Sequence, residues 1–207
     1  PGCYPKLSAC VSSVGMLALS SMYAVADSAP FTLACHPQTP SQAIREINVV
    51  VEASGSLMLT FRLMGDISSL NIPEARAPQS ADDLWRHTCF EVFIMKGEGP
   101  EYSEFNFSPS GEWAVYAFRD YRDAEVLEHE IAPGIMVCRT QDRLELEVEI
   151  CRDFLPQNGP LRLGLSAVVE DNDGVLSYWA LRHPPGKPDF HHPDTFILQM
   201  DDSECVT

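Results

Sequence analysis

The densest group of residues capable of chemistry lies between positions 183 and 196, in the segment HPPGKPDFHHPDTF. This segment holds three of the chain's six histidines and four of its sixteen prolines. Neighbouring residues of an extended segment point to opposite sides, so His191 and His192 could not easily share a metal ion. Zinc requires three or four converging ligands, and the carboxylates nearby are Asp189 and Asp194. We therefore expect no metal site here.

The prolines of this segment fix φ and stiffen the chain, which lowers the entropy lost when a ligand binds. One interpretation is therefore the rim of a binding pocket. The polar side chains that such a rim would offer to a ligand are Arg182, Lys187, Asp189 and His191. The other interpretation is a structural clasp, with Phe190 and Phe196 plugging one end of the fold. The sequence favours neither.

Three tryptophans could supply the flat apolar faces that stack on a sugar ring, namely Trp85, Trp113 and Trp179. Trp85 is the strongest candidate, because its surroundings place it at the entrance to a strand. Arg86 and His87 follow it directly and are included as polar partners for a ligand. Core packing is the alternative for Trp113 and Trp179. The hypothesis is thus a pocket at one end of the fold, walled by Trp85 and the proline-rich segment.

Catalytic and haem chemistry have less support in the sequence. The chain contains no Gly-x-Ser-x-Gly, no His-Glu-x-x-His and no phosphate-binding glycine loop. Glu91 and Glu104 could form a carboxylate pair for glycoside hydrolysis, if both faced one cleft. Haem would need rigid axial ligands. The candidates for these are His87 with Met58, Met64 or Met95. A haem-binding redox domain and a metal-dependent hydrolase are therefore the alternative functions.

Composition restricts the partners and the size of the fold. The 207 residues suit one domain, and 45% of them are hydrophobic. A formal charge of -16 without a basic run argues against nucleic acid and against an anionic membrane surface. The seven cysteines show no CxxC pair, and three of them, Cys89, Cys138 and Cys151, lie in or beside apolar runs. Buried free thiols in a reducing compartment such as the cytoplasm are expected, with a disulfide pair as the alternative.

The N-terminal 30 residues are predicted to lie outside the fold. They carry one basic residue, an apolar run and an Ala24-Val25-Ala26 ending, which resemble a secretory signal and would place the protein in the periplasm. The run also contains five serines, and translation could instead start at Met16 or Met22.

Short segments with period-two alternation dominate the rest of the chain. Leu57, Leu59, Phe61 and Leu63 share one face of the first clear strand, and RLELEVEI alternates apolar residues with glutamate throughout. Asp171 to Gly174 is predicted to form a tight hairpin turn rather than a calcium loop. The pattern predicts an all-β fold, an antiparallel jelly-roll β-sandwich of about ten strands, for residues 31–202. The predicted strands include 56–64, 87–95, 102–107, 112–118, 143–150, 161–170, 174–181 and 195–200.

Three segments together resemble a known group: LWRHTCFEVFI at 84–94, EYSEFNFSPSGEW at 101–113 and YWALRHPPGKPDFHHPDTFILQM at 178–200. They are similar to the tryptophan-bearing strand, the strand and turn that follow it, and the closing segment of family 9 carbohydrate-binding modules. The likeness, from Phe31 to Met200, is to the DOMON-like branch found in bacterial proteins. It implies a ligand-binding jelly roll, since members bind sugars or haem. Those modules place an aspartate where this chain has Thr88-Cys89-Phe90, which weakens the case for an inherited calcium site.

We therefore expect a single sandwich domain that binds a small, carbohydrate-like ligand without catalysing its conversion. No cofactor is predicted, and haem or calcium remain the alternatives.

Overall fold

The computed structural model describes residues 29–53, 55–125, 132–156 and 159–200, so the expectations for residues 1–28 lie outside the described part. Its regular elements are twelve strands and four short 3-10 helices, at Ile67–Ser69, Leu84–Arg86, Arg152–Phe154 and Pro193–Thr195. The strands are β1 (Phe31–Cys35), β2 (Ile44–Ala53), β3 (Ser56–Gly65), β4 (Cys89–Lys96), β5 (Tyr102–Phe107), β6 (Trp113–Asp120), β7 (Asp123–Glu125), β8 (Gly134–Arg139), β9 (Arg143–Cys151), β10 (Leu161–Glu170), β11 (Leu176–Ala180) and β12 (Leu198–Met200). No helix of the described residues is both long enough and apolar enough to cross a membrane.

Antiparallel pairing arranges these strands in two sheets that share β1. Sheet 1 has the order β8-β9-β3-β2-β1, and sheet 2 has the order β7-β6-β5-β4-β10-β11-β1. Phe31 to Leu33 pair with β2, whereas Ala34 and Cys35 pair with β11. β12 pairs with the first half of β10, beside β11 on the second half. The all-β antiparallel sandwich is thus confirmed, with twelve strands rather than about ten.

The main core lies between the sheets and follows the predicted alternation. Every second side chain of β3 and β9 is fully buried there, namely Leu57, Leu59, Phe61, Leu63, Leu144, Leu146, Val148 and Ile150. Sheet 2 adds alternate residues of β4, β5 and β10, among them Phe90, Val92 and Phe105. Full burial of such side chains stabilises the fold by roughly 1.5–3 kcal/mol each.

A second apolar cluster covers the opposite, outer face of sheet 2. Residues 181–197, which we call the cover loop, place Phe190 and Phe196 on that face, and the Phe196 ring stacks on Phe93 at 5.8 Å. Gly164 permits this contact, because a Cβ there would lie 2.7 Å from Cδ1 of Phe196. All residues of β4 from Cys89 to Met95 are therefore buried. The cover loop closes the outer face of a sheet, and not the end of the sandwich as the sequence had suggested.

Turns and thiols complete the comparison with the sequence. Asp171 Oδ1 accepts hydrogen bonds from the backbone N–H groups of Asp173 and Val175, as expected of a hairpin turn. The cysteines of the described residues are free thiols, and Cys89 is buried. The expectation was wrong for Cys138, which is exposed because β8 is the terminal strand of sheet 1. Cys3, Cys10 and Cys205 lie outside the described residues.

A candidate ligand-binding cavity

A cavity of about 880 Å³ lies on the outer face of sheet 2, between the sheet and the cover loop. Trp85 lines it together with the cover-loop residues from Lys187 to His191. Trp85, Asp189 and His191, which the sequence hypothesis required to face one cavity, therefore do so. The remaining lining comes from Thr39, Asp82, Asp83, Glu91, Phe93, Glu104, Tyr116, Phe118, Arg122, Val168 and Tyr178.

Strand alternation decides which side chains form the floor. Phe90 and Val92 of β4 point into the main core, so Glu91 and Phe93 point to the cavity. The register places Phe93 opposite Glu104, and Glu104 opposite Tyr116 on the next strand. The floor is thus a row of aromatic rings interrupted by two carboxyl groups.

Asp189 fastens the middle of the cover loop to the hairpin between β6 and β7. Its carboxylate accepts hydrogen bonds from the Arg122 guanidinium at 3.0 Å and from the Tyr121 hydroxyl at 2.8 Å. These donors lower the pKa of Asp189 against the raising effect of burial, so the carboxylate stays charged. Arg122 has a φ of 55°, in the left-handed region, at the second position of the turn between β6 and β7. The cover loop is therefore held in place by the Asp189–Arg122 ion pair, which the Tyr121 hydroxyl supports with a further hydrogen bond.

His191 is a neutral hydrogen-bonding group of the cavity wall. Burial, followed by the charge of Arg122, lowers the pKa of His191 to about 4. The Tyr102 hydroxyl accepts from the backbone N–H of Arg122 and forms a second hydrogen bond, 2.9 Å long, with Nδ1 of His191. The other ring nitrogen, Nε2, lies 3.6 Å from Glu104 Oε2.

Glu91 and Glu104 form a buried carboxyl pair at diagonal positions of β4 and β5. Only 2% of Glu91 and 5% of Glu104 is exposed. Ser166 donates to Glu91 at 3.1 Å, and the Asn106 amide donates to Glu104 at 2.8 Å. Burial raises the pKa of both groups, and the neighbouring Glu104 raises the pKa of Glu91 further. The arrangement favours the protonated form of Glu91.

The rim opposite the cover loop carries Trp85, whose side chain is 45% exposed. It lies in the 3-10 helix just before β4, and the Arg86 guanidinium stacks on its ring at 5.1 Å. Arg86 also forms an ion pair with Asp83 at 3.3 Å. An exposed indole held by a stacked cation offers a ligand one flat apolar face.

Five of the predicted ligand-binding residues lie outside the cavity lining, and their role stays a prediction. Trp113 and Trp179 are buried in the main core, where the Trp179 indole N–H donates to Ser177 at 3.0 Å. The exposed His87 pairs with Glu170 at 2.8 Å. Arg86 lies behind Trp85, and Arg182 is exposed at the start of the cover loop.

Two parts of the cavity lining, the aromatic floor and Arg122, were not predicted from the sequence. The strands that contain the floor residues were predicted, but not the face of the sheet to which these side chains point. The residues are Phe93, Tyr116, Phe118 and Tyr178. The available signal was that β4, β5 and β6 carry large side chains at both alternating sets of positions, which requires cover on both faces. Glu91, within an otherwise apolar strand, was the second signal.

The remaining histidines of the cover loop face other partners. The His183 ring lies edge-on to His36 at 4.8 Å, and its Nε2 bonds the Ala34 carbonyl. His192 caps the 3-10 helix at Pro193–Thr195. Within the part of the chain that the structure describes, no three His, Cys, Asp or Glu side chains are arranged to hold a metal ion.

Comparison with known proteins places the fold. No family model matches the sequence, and no curated protein matches it significantly. Similar solved structures include a candidate carbohydrate-binding protein from Bacteroides uniformis, with a TM-score of 0.61 and 14% identity over 81% of this chain and 83% of that one. A family 9 carbohydrate-binding module from Caldicellulosiruptor kristjanssonii is also similar in two complexes, each with a TM-score of 0.50 and 10% identity. The complex with glucose covers 81% of this chain and 78% of that one, and the complex with cellotriose covers 84% and 81%. The domain therefore has a fold like that of a family 9 carbohydrate-binding module.

Proposed function

We propose that this protein binds carbohydrate, without catalysis, in the cavity on the outer face of sheet 2. One observation carries the proposal: Trp85, an aromatic floor and the fastened cover loop line the same cavity. Sugar recognition needs apolar faces for the C–H side of the ring and fixed polar groups for its hydroxyls. Lys187, Asp189 and His191 supply polar groups on a stiff segment.

The structural neighbours support the same function. Two of them are complexes of a family 9 carbohydrate-binding module with glucose and with cellotriose. We extend this property to the present chain because its own cavity has the chemistry that a pyranose requires. Glucose and its short β-linked oligomers are accordingly the first ligands to test.

A hydrolytic role for Glu91 and Glu104 is less well supported by the geometry. Glycosidases place two carboxyl groups on either side of the bond that breaks. Here both project from neighbouring strands of one floor, so a glycosidic bond would lie above the pair rather than between its members. Burial also raises the pKa of both, which disfavours the ionised nucleophile or base that hydrolysis needs.

Tryptophan fluorescence tests the proposal directly, because Trp113 and Trp179 are buried and Trp85 is the exposed indole of the described residues. Titration with cellotriose should change the emission of the wild-type protein. Trp85→Ala should abolish that change and weaken binding by about tenfold, as measured by calorimetry.

Met136→Ala is the matched control, since it truncates an exposed side chain on β8 of the other sheet. It should leave binding unchanged. A Trp85→Ala protein that binds cellotriose as tightly as the wild type would overturn the assignment of the site.

A further inference from the structure

The charged residues around the cavity are not balanced. Its lining contains five carboxyl groups and two basic side chains. At the rim and wall the acids have partners: Asp189 with Arg122, Asp83 with Arg86, and Asp82 with the Tyr116 hydroxyl. Among the described residues, three of the five acids have no Lys or Arg partner: the exposed Asp82 and the two buried acids at the floor, Glu91 and Glu104.

Among the described residues, neutral groups supply the hydrogen bonds to Glu91 and Glu104, while the charge of Arg122 acts on Glu104 without an ion pair. Ser166 and Asn106 supply one hydrogen bond each. Within the described residues, the basic nitrogen that comes within 4.0 Å of either carboxyl is Nε2 of His191, at 3.6 Å from Glu104. Because burial lowers the pKa of His191 to about 4, this ring brings no positive charge at neutral pH.

Another buried oxygen, on the residue paired with Glu91, has no donor within the described chain. Asn106 is fully buried and lies directly opposite Glu91 in the β4–β5 ladder. Its Oδ1 has no hydrogen-bond partner in the described chain, although its amide nitrogen donates to Glu104. Buried polar atoms are normally paired, so an orphaned acceptor opposite Glu91 points to a missing donor. The group formed by Glu91, Glu104 and Asn106 therefore has more acceptors than donors.

Aromatic rings surround these acceptors. Phe93, Tyr116, Phe118 and Tyr178 line the same floor and walls. The face of an aromatic ring attracts a cation within about 6 Å of its centroid, and more strongly when water is excluded. Carboxyl groups in a lining rich in aromatic rings suit an ammonium group, which carries one positive charge and three N–H donors.

We propose that the ligand of this cavity is an amino sugar, whose ammonium group occupies the floor at Glu91 and Glu104 while its ring stacks on Trp85. This inference rests on the proposed carbohydrate-binding function and specifies its ligand class. Acetylation of the nitrogen removes the charge, so the free amine is the form recognised.

Binding of the ammonium group releases a proton from the floor. Glu91 gives its proton to solvent as the ligand charge arrives, and the resulting carboxylate accepts hydrogen bonds from the ammonium. The other titratable groups that interact with the pair are Cys89, Tyr102, Tyr116, Tyr178, Arg122 and His191. Of these, Arg122 is already paired with Asp189.

The test is calorimetry of the full chain with three disaccharides of the same linkage: β-1,4-linked glucosamine dimer, its N,N'-diacetyl form, and cellobiose. At roughly physiological ionic strength the free amine should bind about tenfold more tightly than either neutral sugar. Repeating the titration in buffers of different ionisation enthalpy should reveal proton release with the amine alone.

Glu91→Gln should reduce the ratio of amine to cellobiose affinity to near one, and Glu104→Gln provides a second variant should the first fold poorly. Glu149→Gln removes one exposed charge from sheet 1 and should leave the ratio at its wild-type value, which controls for the overall charge of -16. A ratio that Glu149→Gln lowers as much as Glu91→Gln does would overturn the inference.

Ethylammonium and cellobiose separate the remaining sources of binding. If ethylammonium binds as tightly as the amino sugar, the floor recognises a simple amine and the sugar assignment is wrong. If cellobiose binds and the glucosamine dimer is no tighter, this inference fails while the proposed function stands. If Trp85→Ala weakens the binding of none of the three disaccharides, both this inference and the proposed function fail.

Discussion

The outer faces of the two sheets use the same residue type to opposite effect. On sheet 1, Glu145, Glu147 and Glu149 of β9 alternate with core residues and remain at least partly accessible to water. Glu145 forms a surface ion pair with Arg62 at 2.7 Å. On sheet 2, Glu91 and Glu104 occupy equivalent outward positions, yet the cover loop and its aromatic partners bury them.

The difference shows that the alternation of residues along a strand determines which way a side chain points. Whether that side chain is buried depends on what packs over that face of the sheet. A glutamate that points away from the core is ordinarily solvated, and its cost is small. Under cover, the same side chain loses water and destabilises the fold unless it is paired. The buried glutamates lie on the sheet that carries the candidate cavity, and buried ionisable groups with shifted pKa values are concentrated at functional sites in proteins.

The largest effect should come from removing the cover. Phe196 is fully buried against Phe93 and Gly164. We expect Phe196→Ala to lower the free energy of unfolding by about 3–5 kcal/mol in urea denaturation, since it empties the contact that holds the cover loop. Cellotriose binding should weaken as well.

Ile197→Ala is the control for that experiment, because its side chain is adjacent in sequence and 37% exposed. It should cost less than about 1 kcal/mol. Equal losses in the two variants would show that the outer cluster does not depend on Phe196.

A smaller effect should appear in the pH dependence of stability. The folded pKa values of Glu91 and Glu104 lie above their ordinary value of 4.5, so the folded state binds protons that the unfolded state has released. The stability that these two groups contribute is therefore greatest below that value and falls as pH rises, by up to about 1.4 kcal/mol per pH unit for each linked proton. Glu91→Gln should flatten the decline measured from urea midpoints and be the more stable protein at the alkaline end.

The comparison with sheet 1 controls this measurement. Glu147→Gln should follow the wild-type pH profile. His183 and His191, whose pKa values are lowered, titrate in all three proteins and cancel in the differences. A Glu91→Gln profile parallel to the wild type would mean that Glu91 is not the group that titrates.

The smallest effect is expected at the surface pair itself. Glu145→Gln breaks its ion pair with the half-exposed Arg62, and exposed pairs contribute about 0–1 kcal/mol. Thermal unfolding should change little, and cellotriose affinity should not change at all. A large loss of binding would imply that sheet 1, and not sheet 2, carries the site.

The sandwich could be predicted from the sequence because each strand shows, within its own residues, which side chains face the core. Leu57 to Leu63 and Leu144 to Ile150 alternate without interruption, so the buried face could be assigned from period two alone. Trp85, Lys187, Asp189 and His191, which were named together from the sequence, line one cavity, and their role in binding stays a prediction. Their residue types, exposure and proline-stiffened setting were all visible in the sequence.

The position of the cavity could not be predicted, since it depends on contacts between distant segments. Asp189 meets Arg122 across 67 positions of sequence, and Phe196 reaches Phe93 only because Gly164 lies between them in the sheet. Period two likewise could not distinguish Glu91 from Glu145. Both side chains point away from the main core, and they differ in burial because the cover loop packs over Glu91 and not over Glu145.

Strand β1 couples the unfolding of the two sheets because it is paired in both. Its first three residues are hydrogen-bonded in one layer and its last two in the other. The two sheets cannot separate unless β1 loses its backbone hydrogen bonds to β2 or to β11. Melting is thereby made cooperative across the sandwich, and backbone amides on both sides should exchange with solvent through the same global opening.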